Sequence, residues 1–173
     1  EARREFRALF GTMEDAFDTP KPVRLMKRII EISVPDDSDP HIVLDFFGGS
    51  CSTAHAVIEM AKERSSKIQF IMVQLPEPLP KEIPLENNTC LKNIADVGKE
   101  RIRRVINKIK QEQKESAKQK NLTNNPETPQ DLGFRAFKLS KSNFKVWNGQ
   151  VPADGKVEKQ LEDFIENLHT GGT

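Results

Sequence analysis

The fold of this chain is decided by residues 42–57, which read IVLDFFGGSCSTAHAV. The segment opens with an apolar, β-branched run that ends on Asp45. It passes through two glycines and small hydroxyl residues, and then takes up helical spacing at Ala54, Val57, Ile58 and Ala61. An apolar run bounded by turn residues indicates a buried strand, and apolar residues three or four apart indicate a helix. The segment therefore predicts a strand, a tight turn and a helix.

The turn has the residue types of a site for a small ligand with a polar head. A helix that follows a parallel strand so closely directs its first N–H groups to the carboxyl edge of the sheet, where open α/β folds bind ligands. Asp45 can accept hydrogen bonds from amines or hydroxyls, and Gly48 and Gly49 allow close approach of a ligand to the backbone. Three hydroxyl residues can cap the helix or bind a carboxylate at its positive end: Ser50, Ser52 and Thr53.

Two common nucleotide-binding motifs are absent from this turn. It lacks the Gly-x-Gly-x-x-Gly pattern of dinucleotide sites, and it contains no lysine for a phosphate-binding loop. On spacing alone, a strand, turn and helix of any α/β domain, without a ligand, remains an alternative. The residues thus indicate a polar ligand and leave its identity open.

Length and composition favour one domain with a real core, because the chain has 173 residues. We place this domain at residues 1–150 and a separate C-terminal helix at 151–173. A formal net charge of +1 argues against this segment alone gripping duplex DNA, whose affinity comes largely from paired phosphates. Cys51 and Cys90 form no metal-spaced pair, so no metal site is expected, and the absence of a signal peptide or long apolar run makes the cytoplasm the expected location.

Five blocks of the chain, in the same order, resemble the modification subunits of type III restriction-modification systems. The central block, DFFGGSCST at residues 45–53, is similar to the S-adenosylmethionine loop of these amino-methyltransferases. The others are FDTPKP at 17–22, VQLPEP at 73–78, IADVGKERI at 94–102, and GFRAFK followed by NFKVW between 133 and 147. The resemblance covers residues 2–147, and several blocks in one order are far more specific than a single glycine turn.

This resemblance implies a partial Rossmann-like methyltransferase fold of the α/β class, with a mostly parallel sheet and a C-terminal hairpin. It implies S-adenosyl-L-methionine as cofactor. Lys21 is then expected to pair with the cofactor carboxylate and Gln74 to contact its ribose. The full set of expected cofactor-binding residues is Thr19, Lys21, Pro22, Asp45, Phe46, Phe47, Gly49, Ser50, Cys51, Ser52, Thr53 and Gln74.

Cys51 departs from the resembling family, which usually has glycine at this position. If the backbone there adopts a positive φ, a Cβ atom costs on the order of 1 kcal/mol. We further expect the thiol to crowd the ligand and weaken its binding, and an inert thiol is favoured over a reactive one.

The family implies that the full-length protein is a DNA adenine-N6 methyltransferase that acts with a restriction subunit, with a homodimer also possible. The catalytic Asp-Pro-Pro-Tyr loop of such enzymes acts on a flipped adenine. This chain has no Asp-Pro-Pro-aromatic sequence and no tyrosine, so no catalytic residue is assigned and the chain alone is expected to transfer no methyl group. Two alternatives stay open: a noncatalytic relic or regulatory module, and a methyltransferase for RNA or protein.

The remaining pattern predicts the other elements. Helices are expected at residues 1–10, 53–64, 91–118 and around 157–168. A further helix is expected to begin at Pro22, with Val23, Met26, Ile29 and Ile30 directed inward. Strands are expected at 42–45 and 68–75, the second inside a sheet covered on both faces, and as a hairpin at 133–139 and 143–147. Loops are expected at 76–84 and 119–131. His55 is expected to be a surface or packing residue.

The long helix at 91–118 is predicted to carry a basic outer face. Lys99, Arg101, Arg103, Arg104, Lys108 and Lys110 are placed on it. Such a run is usually a solvated face with helical ion pairs, and contact with a DNA backbone is the alternative.

Overall fold

The computed structural model describes residues 1–11, 17, 19–35, 37, 39–64, 67–85, 89–119 and 132–140. The chain divides into two compact units, Glu1–Phe134 and Arg135–Thr173. Every helix and strand of the described residues belongs to the first unit. In the second unit, residues 135–140 form neither helix nor strand. The expected boundary near residue 150 stays a prediction.

A two-stranded parallel sheet carries the segment that the sequence singled out. Strand β1 spans His41–Asp45 and strand β2 spans Ile68–Met72, and His41 pairs with Ile68 at one end while Asp45 pairs with Met72 at the other. Helix α3, Ser52–Arg64, connects the two strands. The predicted strand, turn and helix are therefore confirmed, although β2 ends three residues earlier than expected.

Helices cover one face of this sheet. Helix α1 spans Ala2–Phe10, helix α2 spans Val23–Ser33, and helix α4 spans Ile94–Gln119. The core beneath them forms two neighbouring clusters around α3, one shared with α2 and one shared with α4; the buried members include Val23, Ile30, Val57, Met60, Ala54, Ile58, Ile102 and Val105. Phe70 of β2 packs against both clusters. Apolar residues on one helical face produce this arrangement.

The burial predictions for the parallel sheet and for one residue of α2 are wrong. The sheet was expected to be covered on both faces, but Ile42, Leu44 and Ile71 are exposed on the face opposite the helices. Ile29 was placed on the buried stripe of α2 and is also exposed. Side chains alternate between the two faces of a strand, so a continuous apolar run predicts two covered faces only where a second layer of elements packs on the sheet.

The predicted proline-rich loop at 76–84 is also corrected. Strand β3, Pro78–Pro84, pairs antiparallel with strand β4, Cys90–Asn93, with an irregularity between Pro78 and Ile83. Proline lacks the N–H that a central strand must donate, but an edge strand tolerates it. The many prolines therefore restrict the pairing without abolishing it.

The fold class is α/β as expected, but the sheet content differs from the expected single, mostly parallel sheet. The described residues contain one parallel and one antiparallel two-stranded sheet. The first strand of the predicted C-terminal hairpin, 133–139, is not formed, because none of residues 132–140 pairs in a ladder. The second strand of that hairpin, the last predicted helix and all but the first residue of the loop at 119–131 lie outside the described residues.

The four helices of the described residues begin within two or three residues of their predicted positions. Gly11 ends α1 with a positive φ of 63°, a conformation that glycine adopts readily, and donates its N–H to the Arg7 carbonyl. Over the part of the chain that the structure describes, none of the helices is long and apolar enough to cross a membrane.

Candidate functional site

The turn between β1 and α3 is closed by backbone hydrogen bonds to the end of β2. The N–H of Val73 donates to the Asp45 carbonyl at 2.8 Å, and the N–H of Gly48 donates to the Val73 carbonyl at 3.0 Å. Within the turn, the N–H of Cys51 donates to the Gly48 carbonyl at 2.6 Å. These bonds fix where the chain leaves the sheet, and they place the first turn of α3 beside the carboxyl end of β1.

Asp45 lies half-buried at this point, and its carboxylate is oriented by two donors. Thr53 Oγ1 donates to Oδ2 at 2.7 Å, and the Phe47 N–H donates to Oδ1 at 3.0 Å. Each carboxylate oxygen has a further lone pair, so the group can still accept hydrogen bonds from a ligand amine or hydroxyl. Thr53 Oγ1 also lies 3.4 Å from Met26 Sδ, which links α2 to the turn.

Two residues of the turn have left-handed backbone conformations, Gly49 with φ 52° and Cys51 with φ 58°. The positive φ considered for Cys51 is therefore present. The Cys51 side chain is buried in the core cluster with Ala54 and Ile102 and is directed to Gly98 of α4, which argues against crowding of a ligand by the thiol. Weaker ligand binding because of Cys51 stays a prediction. Burial raises the pKa of the Cys51 thiol to about 11, which makes it unreactive at neutral pH.

Gln74 follows β2 and supports the turn. Its Oε1 accepts the Gly49 N–H at 2.7 Å, and its Nε2 donates to the Leu75 carbonyl at 3.1 Å. An amide oxygen has two lone pairs and an amide nitrogen has two hydrogens, so each atom keeps one position for a ligand. A ribose contact by Gln74 stays a prediction.

The proline block leads directly into α2. Pro22 is the N-terminal cap residue of α2, and its carbonyl accepts the N–H groups of Leu25 and Met26. Thr19 and Lys21 are exposed. The pairing of Lys21 with a ligand carboxylate stays a prediction.

The front of the turn presents two aromatic rings to solvent. Phe46 is 64% exposed and Phe47 is 90% exposed. Large apolar side chains in contact with water are available for packing on a ligand. Phe46 and Phe47, which were expected to contact the cofactor, therefore form an exposed aromatic surface next to Asp45.

The back of the turn is organised by Arg101, which the sequence pattern placed on the outer face of α4. That placement is wrong, because Arg101 is fully buried, with 0% of its surface exposed. Its Nη1 donates to Ser50 Oγ at 2.9 Å and to Ser52 Oγ at 2.7 Å. Its Nε donates to His55 Nδ1 at 3.4 Å. The two serine side chains therefore point inward to α4 and are not free to bind a ligand.

Three further contacts define the surroundings of Arg101. The guanidinium carbon lies 5.7 Å from the ring centroid of Phe6 in α1. Its Nη2 is buried and has no hydrogen-bond partner among the described residues. Burial lowers the pKa of Arg101 to about 10, so the guanidinium remains charged at neutral pH. A spacing signal could have found this residue, since Val97, Arg101 and Val105 lie four apart on the buried face.

His55 is buried between Arg101 and Glu59, as a packing residue. Because arginine can only donate, His55 Nδ1 acts as the acceptor, and Nε2 carries the proton donated to Glu59 Oε1 at 3.0 Å. Glu59 also pairs with Lys27 of α2 at 2.9 Å. The hydrogen bond from His55, with the Lys27 charge nearby, lowers the pKa of the Glu59 carboxyl to about 2 despite its partial burial.

The comparisons with known proteins fit this geometry. A family model described as DNA methylase matches residues 3–83, which include α1, α2 and the whole β1, turn and α3 segment. The StyLTI Mod subunit of a type III restriction-modification enzyme, from Salmonella typhimurium, is 36% identical over 145 residues, 81% of this chain. The chain is a relative of the type III modification subunits.

Two further type III relatives show similar identity. The EcoP15I Mod subunit of Escherichia coli is 33% identical over 111 residues, and the EcoPI Mod subunit of Escherichia phage P1 is 35% identical over 109 residues, each covering 62% of this chain. The resemblance read from the sequence blocks is confirmed. The matched parts make up 19%, 16% and 16% of these relatives, so the chain spans less than a fifth of their length.

The described residues contain no group of three or more histidine, cysteine, aspartate or glutamate side chains that could hold a metal ion. Within those residues, the turn brings together an oriented carboxylate, the start of α3 and two exposed aromatic rings.

Proposed function

We propose that this chain carries the S-adenosyl-L-methionine site of a DNA adenine-N6 methyltransferase of the type III restriction-modification class. The single observation that carries the proposal is the carboxylate of Asp45, held by Thr53 and the Phe47 N–H at the end of β1, directly beside the start of α3. The type III relatives make methylation of DNA the activity that this arrangement supports best.

The residues present fit the amino-acid end of this cofactor. The cofactor's ammonium needs an acceptor, which Asp45 supplies, and its carboxylate needs donors, which the first N–H groups of α3 supply together with the positive end of the helix. Phe46 and Phe47 offer apolar contact area beside these polar groups. When bound, the cofactor supplies a methyl group on a sulfonium centre, and the protein contributes mainly its placement.

The contacts of the turn support an indirect role for some of the expected ligands. The side chains of Ser50 and Ser52 contact Arg101, and that of Cys51 is buried in the core, so these three residues would serve the cofactor by holding the turn in place. Thr53 would act by orienting Asp45. Thr19, Lys21, Pro22, Gly49 and Gln74 complete the proposed site.

The proposal includes the wider system in which such a chain works. DNA as substrate, a restriction subunit as partner, a possible homodimer and a cytoplasmic location all belong to it, supported by the type III relatives. That the 173-residue chain alone transfers no methyl group also stays a prediction, since it contains no Asp-Pro-Pro-aromatic sequence.

Calorimetric titration of the chain with S-adenosylmethionine and with its demethylated product, S-adenosylhomocysteine, tests the proposal. We expect saturable one-to-one binding, and we expect Asp45→Asn to weaken it by about ten- to a hundredfold, because a charge-assisted hydrogen bond contributes about 1.5–3 kcal/mol. Ile42→Ala, at the other end of β1, is the matched control and should bind normally.

A folded wild-type chain that binds neither compound would refute the proposed cofactor site. It would then favour the alternative, a noncatalytic relic or regulatory module with a methyltransferase fold. One feature of the turn points in that direction, namely a cysteine where the resembling family usually has glycine, at φ 58°.

A further inference from the structure

Arg101 is a charged side chain at a buried position where filling space alone would not require a charge. A charged group without water loses several kcal/mol of hydration, and a hydrocarbon side chain of similar volume would avoid that loss. Three of its donor contacts are to one short stretch, Ser50, Ser52 and His55, which contains the turn and the first residues of α3. The arginine is therefore placed to act on the conformation of this stretch.

The stretch needs such support because its backbone is strained. Cys51 lies between the two serines that Arg101 binds, and it is a non-glycine residue in the left-handed region. Such a conformation is unfavourable and persists only where contacts with the surrounding structure hold it in place. The two bonds from a single Nη1 atom, to residues 50 and 52, hold the serine side chains on both sides of the strained residue.

The same two bonds decide which face of the turn is open. Both serine hydroxyl oxygens accept from the guanidinium, so both side chains are drawn to α4 and are almost fully buried. Ser50, Cys51 and Ser52 are buried as whole residues, so the exposed part of the turn next to Asp45 is formed by Phe46 and Phe47, with Gly49 and Thr53 partly exposed. Without the guanidinium, the serine hydroxyls would be free to turn and bond to the N–H groups of the helix start, as serine commonly does.

We propose that Arg101 is a positioning residue of the cofactor site, which binds Ser50 and Ser52 from behind and so holds the turn in the conformation that places the start of α3 beside Asp45. This inference rests on the proposed function for its ligand, and it adds a role for a residue that lies in a helix outside the turn. Its charge also adds to the positive end of α3, where the carboxylate of the ligand would lie.

Substitution of Arg101 by methionine and by lysine tests the proposal in the full 173-residue chain. Methionine keeps the apolar stem and removes every donor, while lysine keeps the charge and lacks the planar fork of the guanidinium. Arg104→Met is the matched control, because Arg104 also extends from α4 to α1. It donates to the Leu9 carbonyl at 3.1 Å and lies 5.1 Å from the ring centroid of Phe10, without a described contact to the turn.

Two measurements separate positioning from plain stability. The first is the dissociation constant of S-adenosylhomocysteine, which we expect to rise at least tenfold in Arg101→Met and in Arg101→Lys and to stay within twofold in Arg104→Met. The second is hydrogen exchange at the turn, where the Cys51 N–H bonds to the Gly48 carbonyl in the native chain. We expect it to exchange at least tenfold faster in the Arg101 variants, and no faster in Arg104→Met than the fall in its global stability explains.

The outcomes are distinguishable. If wild-type chain binds the ligand and Arg101→Met binds it equally well with unchanged exchange at the turn, this inference is wrong and the proposed function stands. If wild-type chain binds nothing, the proposed function fails, and the exchange rates still decide whether Arg101 holds the turn. If neither Arg101 variant folds, Ser52→Ala replaces them: it removes the acceptor of the 2.7 Å bond. It should then weaken binding about three- to tenfold, and normal affinity in Ser52→Ala would overturn the proposal.

Discussion

The two sides of the turn between β1 and α3 differ in almost every physical property. The back is dry and closely packed, with Ser50, Cys51 and Ser52 buried against Arg101 and Gly98 of α4. The front carries Asp45, which is half-buried, and the exposed rings of Phe46 and Phe47. Substitutions at the back should therefore act mainly on stability and conformation, whereas substitutions at the front should act mainly on ligand affinity.

The difference also explains why a functional turn can contain a residue as unsuitable as cysteine at a positive φ. The thiol contributes burial in the core, which offsets part of the backbone strain. A turn that faced solvent on both sides would have no such compensation. Packing at the back of the turn thus stabilises the conformation of the front.

The largest expected effect is at Gly98, on the back. A Cβ atom there would lie 2.6 Å from Cys51 Sγ and 3.2 Å from the Gly49 carbonyl oxygen. Overpacking of this kind costs about 1–3 kcal/mol. Alanine gains about 1 kcal/mol over glycine in a helix, so we expect Gly98→Ala to lower the free energy of unfolding by up to about 2 kcal/mol, measured by urea denaturation.

A double variant serves as the control for this prediction. Cys51→Gly removes the thiol that the added methyl group at position 98 would contact, so Gly98→Ala should cost clearly less in that background, although the contact with the Gly49 carbonyl remains. Equal costs in the two backgrounds would show that α4 and the turn are not packed through Cys51 and Gly98, and the contrast between back and front would lose its basis.

At Phe47, on the front of the turn, we expect a smaller effect, and we expect it on ligand affinity instead of on stability. Because its ring is 90% exposed, Phe47→Ala should change the free energy of unfolding by less than about 0.5 kcal/mol. Loss of an aromatic contact with the ligand should weaken S-adenosylhomocysteine binding by about two- to tenfold. Calorimetry and thermal unfolding of the same preparation measure both quantities, and a large loss of stability with unchanged affinity would reverse the assignment of the front.

The smallest expected effect is the pH dependence contributed by Glu59, at the outer end of the Arg101, His55 and Glu59 chain. Its pKa is about 2 in the folded protein against an ordinary value of 4.5, so its ionised form is favoured by folding. This stabilisation is complete above pH 4.5 and is lost as the pH falls through the folded pKa, near 2. Solvent screening keeps the contribution below about 1 kcal/mol.

Glu59→Gln should therefore flatten the decrease in thermal stability between pH 4.5 and 2. Glu63→Gln is the matched control, since Glu63 bonds to the same Lys27 from a more exposed position. If the Glu59 and Glu63 variants lose stability in parallel with wild type over that pH range, Glu59 is not held by the buried chain. The chain of hydrogen bonds that starts at Arg101 would then end at His55.

Hydrophobic periodicity and turn chemistry were sufficient for the helices and for the parallel strand pair. The runs at 42–45 and 68–72 are apolar and β-branched, and the inward stripes of α3 and α4 recur at three- and four-residue spacing. The strain at Cys51 could also be anticipated, since the resembling family usually has glycine there and glycine suits a positive φ. These features depend on neighbours in the chain, which the sequence displays directly.

Contacts between distant segments were decided only in three dimensions. Strand β3 forms because residues 78–84 find a partner at 90–93, although three prolines argue locally for a loop. Arg101 is buried because α4 lies across the back of a turn some fifty residues earlier in the chain, where two serine oxygens and a histidine nitrogen replace its water. The sequence by itself determined the turn, its carboxylate and the relatives of the chain. Only the tertiary structure decided which side of that turn is open, because burial depends on what packs against a residue as well as on the residue itself.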